Sequence, residues 1–132
     1  MRQESHLKAL KESLEVIEES IEKGIEQRQR TIGFSASAAC VDMLSLFLHK
    51  KSLIDPGFII KHEWFNSPNT LAEKFPFEFP QKKMIFKCII SIEEKRNLLC
   101  YGKPQQKETI EKIIENIHTL KKLFKEEGLD EF

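Results

Sequence analysis

The sequence predicts an all-α protein, and three observations carry that prediction. Apolar residues recur at helical spacing in long segments near both ends of the chain. Between them the run TIGFSASAACVDMLSLFL is apolar nearly all round. No segment shows convincing period-two alternation or hairpin chemistry. The expected architecture is an up-and-down four-helix bundle, with one or two short extra helices between the second and third main helices, in one domain covering 1–132.

The first helix rests on Leu7, Leu10, Leu14, Ile17, Ile21 and Ile25, whose 3-4-3-4-4 spacing runs from the N-terminus to about Arg30. Gly24 lies inside this pattern and is expected to weaken it locally without ending it. So narrow a stripe fits a neighbour in a bundle or a partner in a dimer. The second helix, from about Phe34 to Lys51, carries hydrophobes on two sides and should be the most buried element. Asp55-Pro56 has the form of an N-cap with proline at the first helical position, opening a short helix through Trp64. Ser67-Pro68 repeats the device for about two turns ending near Phe75. Pro76 and Pro80 exclude a regular helix over Phe75–Pro80, so Phe75, Phe77 and Phe79 should pin that loop to the core. The third main helix runs from Gln81 to Cys100 and is closed by Gly102 and Pro104. The last, from about Gln105 to Glu127, presents Ile110, Ile113, Ile117, Leu120 and Phe124 and ends at Gly128.

Composition narrows the function classes. Lysine plus arginine equals aspartate plus glutamate, 21 each, so a protein that coats nucleic acid through bulk charge is not expected, although the balance does not exclude a local basic cleft. The charged N-terminus lacks the apolar stretch of a signal peptide. Asp42 at the centre of the apolar helix argues against a membrane span. Cys40, Cys88 and Cys100 are odd in number and embedded in apolar helix, which reads as reduced core thiols in a cytoplasmic protein.

Arg96 carries the strongest functional signal. Ile85, Cys88, Ile89, Ile92 and Leu99 fall within one arc of about 100° at helical spacing, and Arg96 lies near its middle. A guanidinium cannot shed its proton, so on a core-facing stripe it needs a carboxylate, carbonyls or a water-lined cleft. Asp42 is the one charge within the second helix's apolar run, and the simplest pairing joins Asp42 to Arg96 across two helices. That pair could be purely structural, or part of a site.

Other chemistry is weaker. Glu115-x-x-His118 has di-iron spacing, but a second such pair is missing, and a solvated histidine is the expected reading. The Cys-x-x-Cys, His-Glu-x-x-His, phosphate-loop and Gly-x-Ser-x-Gly motifs do not occur, and neither a metal nor a cofactor is expected. Lys61 and His62 put a base and a titratable ring beside Trp64 and Phe65; His62 could serve acid–base chemistry or a phosphate, or be simply an exposed helix histidine.

Arg96-Asn97 followed by Tyr101-Gly102, just before the last amphipathic helix, resembles the HEPN superfamily of small all-α bundles. The small-residue helix Ala36-Ser37-Ala38-Ala39-Cys40-Val41-Asp42-Met43-Leu44 is similar to that family's acidic second helix, and the likeness spans about Phe34 to Phe124. The resemblance implies a homodimer, a possible nucleotidyltransferase-like antitoxin partner, and RNA as substrate of a metal-independent endoribonuclease. Arg96, Asn97 and Tyr101 would be its catalytic residues; Asp42, Lys61 and His62 are the further candidate substrate contacts. The chain departs from the family's Arg-x4-6-His motif, because Tyr101 stands where the histidine belongs. A phenol is a poor base at neutral pH. RNA or nucleotide binding, in a toxin–antitoxin or defence setting, is therefore expected ahead of cleavage. The alternative is an inert helical interaction module in which Arg96 serves only as the partner of Asp42.

Overall fold

The computed structural model describes residues 3–132, so Met1 and Arg2, within the predicted first helix, lie outside it. It contains five α-helices and no strand among the described residues, and 73% of it is helical, which makes the protein all-α as predicted. The helices are α1 (Gln3–Lys23), α2 (Gln29–Lys50), α3 (Pro68–Lys74), α4 (Lys82–Tyr101) and α5 (Lys107–Glu126). A 3-10 turn at His62–Asn66 precedes α3.

Two boundaries differ from the sequence reading. Helix α1 ends at Lys23 rather than near Arg30, because Gly24 takes a φ of +115° that a helix cannot continue through. The chain turns there and α2 starts at Gln29, five residues before the expected Phe34. The second difference lies after Asp55-Pro56. Those residues make only a turn, with the Phe58 amide donating to the Asp55 carbonyl at 2.9 Å, and the one helical piece before Ser67 is the 3-10 turn. An N-cap and a proline set the first turn, but continuation needs periodic hydrophobes, and Gly57 interrupts them. Ser67 does cap α3, its Oγ accepting from the Thr70 amide at 3.3 Å.

Helix α2 is the centre, packing against α1, α4 and α5. By length and composition it could cross a membrane, yet 72% of its most apolar window is buried inside the protein. Its Met43, Leu44 and Phe47 meet Leu10 and Ile17 of α1, Ile85, Ile89 and Ile92 of α4, and Ile113, Ile117 and Phe124 of α5 in one core. The loop phenylalanines act as expected: Phe75 is fully buried against Phe86 at 5.2 Å, Phe79 is buried, and Phe77 is half-buried. All three cysteines are free and buried.

Gly33 sets how closely α2 approaches α4. A Cβ there would stand 2.9 Å from Leu99 Cβ and 3.0 Å from Cys100 Sγ, so only a residue without one fits this crossing. The close approach brings the polar side chains of the two helices into reach of each other.

Candidate functional site

Helices α2 and α4 run antiparallel, and three contacts fix their register. Near one end the Gln29 amide donates to the Leu99 carbonyl at 3.2 Å. In the middle Gly33 faces Arg96 and Leu99. Further along, Ser37 Oγ donates to Glu93 Oε1 at 2.7 Å. Positions therefore rise on α2 as they fall on α4. Gln29 also donates to the Lys103 carbonyl and accepts from the Gln105 amide, which clamps the α4–α5 connection beside the candidate motif.

The Ser37–Glu93 level holds a buried polar cluster. Glu93 is buried, with its side chain 5% exposed. Its Oε1 accepts from Ser37 and lies 3.0 Å from His62 Nδ1, while Cys40 Sγ points to it at 3.7 Å. Ser37 Oγ is itself 3.1 Å from the same His62 nitrogen. The Cys40 thiol is pushed well above its usual range, by burial first and by the neighbouring Glu93 carboxylate second. That thiol is a packing group rather than a nucleophile.

Three such residues invite comparison with a Ser-His-acid triad, and the geometry rejects it. In a triad the carboxylate takes one ring nitrogen and the serine the other. Here Ser37 and Glu93 share Nδ1, and Ser37 is buried from substrate. The arrangement instead fixes the ring of His62 by one edge. Its other nitrogen makes no hydrogen bond among the described residues, and 42% of the side chain is exposed.

One turn along the seam, Arg96 lies over the ring of Phe34, its guanidinium carbon 5.3 Å from the centroid. Arg30 approaches the same ring at 5.6 Å. Tyr101 meets it edge-on at 5.8 Å and is 66% exposed. Arg96 is half-buried and has no ion pair or hydrogen bond among the described residues. Two guanidinium groups and the exposed Tyr101 ring thus converge around Phe34, with guanidinium donors available to an anion.

The expected Asp42–Arg96 pair is not formed. Asp42 lies eight residues beyond Phe34 on α2, about 12 Å down the helix axis, and turns toward α1. Its Oδ1 is 2.7 Å from His6 Nδ1, a partner the sequence reading did not consider. Burial raises the Asp42 carboxyl above its ordinary range, and the His6 hydrogen bond only partly offsets that. The notion of Arg96 as a structural partner of Asp42 is thereby corrected.

The other candidates separate clearly. Asn97 is exposed on α4 and Lys61 is exposed before the 3-10 turn; neither enters the cluster. His62 does enter it, through Glu93. Glu115 pairs with Lys112 and His118 with Glu18, all at the surface, so the Glu-x-x-His spacing brings no site together. Sequence reasoning overlooked Glu93, Ser37, Phe34 and Arg30 as site residues. Glu93 was within reach: at 100° per residue it lies 40° from Ile89 and 20° from Cys100, on the same stripe as Arg96. No family model matches the chain, and no match is found among curated proteins or solved structures.

Proposed function

We propose that this chain is a HEPN-like, up-and-down four-helix bundle that binds RNA or a nucleotide at the seam of α2 and α4. Arg96 is the phosphate anchor in this reading, Arg30 a second cation, Phe34 the ring that holds both, and Tyr101 the face for a base. The observation that carries it is the state of Arg96. A half-buried guanidinium with no carboxylate partner among the described residues sits on an aromatic ring beside an exposed tyrosine. Its charge faces the Phe34 ring, which leaves its donors for an incoming anion. The even overall charge accords with a local site rather than a coating surface.

A homodimer belongs to the same reading. Leu98 and Tyr101 are exposed apolar side chains on α4 next to Arg96, a position suited to a second copy of the site. A nucleotidyltransferase-like antitoxin is the proposed heterologous partner, in a cytoplasmic toxin–antitoxin or defence setting.

Fluorescence anisotropy of a labelled single-stranded RNA, with ATP as competitor, tests the binding claim. Saturable binding is expected, and competition by ATP identifies the nucleotide as sufficient. No binding of either ligand at micromolar protein overturns the reading. Light scattering on the same sample tests the dimer, and a monomer at that concentration contradicts it.

A further inference from the structure

A groove between α1 and α5 is apolar along its floor and acidic along its rim, and the Arg96 site makes no use of it. We infer that this groove seats a basic amphipathic helix of a partner protein.

The groove exists because α1 stops early. Helix α1 packs on α2, and α5 packs on α2 and α4, but α1 and α5 are not packed closely on each other. A polar contact links them at one level, where His118 Nε2 lies 3.2 Å from Glu18 Oε1. Past that level α1 ends at Lys23, and Gly24 turns the chain at a φ of +115°. Ile25 therefore belongs to the α1 stripe in sequence but lies beyond the helix in space. Two adjoining hollows result, of about 530 and 420 Å³, and Ile21 and Ile25 line both. Ile114 of α5 completes the floor of the second. All three isoleucines are only half-buried.

The rim is charged and one-sided. Glu26 and Lys107 edge the first hollow, and Glu111 and Glu115 edge the second. All four side chains are exposed. Glu115 has Lys112 at 3.6 Å, whereas Glu26 and Glu111 have no ion-pair partner among the described residues. His118, also on the rim, is engaged by Glu18. A larger groove of about 840 Å³ between α3 and α4 has lysines and glutamates mixed along its rim, so its charge selects no partner.

This pattern selects the occupant. Rim carboxylates repel phosphate, so neither RNA nor an anionic membrane surface fits. A second copy seated about a two-fold axis would bring glutamate onto glutamate. The ligand must offer apolar groups to the floor and cations to the rim. A helix with leucine or isoleucine at i, i+3, i+4 and i+7 and lysine or arginine on its flanks offers both. The dimensions agree. From Lys107 to Thr119 the groove follows α5 for about 18 Å, the span of a helix of about three turns. Glu111 and Glu115 stand one turn apart, about 6 Å, which matches lysines four residues apart on the docked helix. The rim charges set specificity, and the isoleucine floor supplies the apolar contact.

The test uses the full chain with its isoleucine methyl groups labelled for NMR. The probe is a synthetic helix-forming peptide of leucine and lysine in amphipathic spacing, with a leucine–glutamate counterpart as control. The leucine–lysine peptide should shift the methyl signals of Ile21, Ile25 and Ile114 and leave that of Ile90, in the α3–α4 groove, unmoved. The leucine–glutamate peptide should bind at least about tenfold more weakly. Glu26→Lys combined with Glu111→Lys should weaken the leucine–lysine peptide by about tenfold or more, because two attractions become repulsions. Glu73→Lys, an exposed reversal on α3, should change its affinity by less than about twofold. Equal binding of both peptides, equal weakening by Glu73→Lys, or shifts at Ile90 in place of the three groove isoleucines overturns the inference. So does the absence of any shift at about millimolar peptide, far above the affinity expected of a specific interface. The same three shifts on concentrating the chain alone give the groove to a second copy, and on adding single-stranded RNA give it to nucleic acid; either result overturns the inference.

Discussion

His6 Nδ1 and Asp42 Oδ1 lie 2.7 Å apart, and this pair fastens the first turns of α1 to the middle of α2. Both side chains are nearly buried, at 12% and 13% exposure, so the contact is shielded from salt and water. It also takes Asp42 away from the α2–α4 seam and leaves Arg96 to a different chemistry.

The Asp42 carboxyl supplies a pH test. Burial raises it above its ordinary 3.8, so the folded chain keeps a proton that the unfolded chain has already released. Its stabilising contribution is full below the unfolded value and is lost as pH rises through the folded one. Urea denaturation of the wild type and Asp42→Asn, from about pH 3.5 to about pH 6, should show the wild type losing ground to the variant as pH rises. A difference that moves the other way contradicts the assignment of burial as the dominant cause.

Gly33→Ala tests the close approach of α2 and α4. The added methyl meets Leu99 Cβ and Cys100 Sγ at 3.0 Å or less, and Leu99 Cβ cannot rotate away. The helices must separate, at a cost of about 1–3 kcal/mol in denaturant melts. An unchanged midpoint would mean that the seam is looser than described.

Removing the Glu93 carboxyl should be among the more costly single changes. Glu93→Ala leaves the buried Ser37 hydroxyl without its acceptor and opens a cavity beside Cys40. A loss of about 2–4 kcal/mol follows, measurable by chemical denaturation. A loss below about 0.5 kcal/mol would place Glu93 in contact with solvent instead.

Helix type and the central place of α2 were readable from periodicity, because burial of a stripe is a local pattern that tertiary packing then uses. The proline-rich loop was readable for the same reason: Pro76 and Pro80 forbid helix, and three phenylalanines need a core. What failed was pairing. Asp42 and Arg96 were the conspicuous charges on two apolar stripes, but partner choice depends on register and on which face each side chain takes. Neither is encoded within a single helix. Glu93 shares the apolar stripe of α4 with Arg96, but nothing within α1 marks His6 as the partner of Asp42. The motif residues divided likewise. Arg96 and Tyr101 meet at Phe34, whereas Asn97 points to solvent.

Phosphate binding by the Arg96 guanidinium is tested most directly by replacing that one group. RNA affinity should be measured by anisotropy for the wild type, Arg96→Ala and Arg96→Lys, with circular dichroism confirming the fold. Without a buried carboxylate partner to strand, Arg96→Ala should cost no more than about 1 kcal/mol of stability, chiefly its contact with Phe34. Arg96→Ala should weaken RNA binding by about 10-fold to 100-fold while the fold persists, and Arg96→Lys should recover part of the loss. An Arg96→Ala protein that is folded and binds RNA as tightly as the wild type would contradict phosphate binding by Arg96.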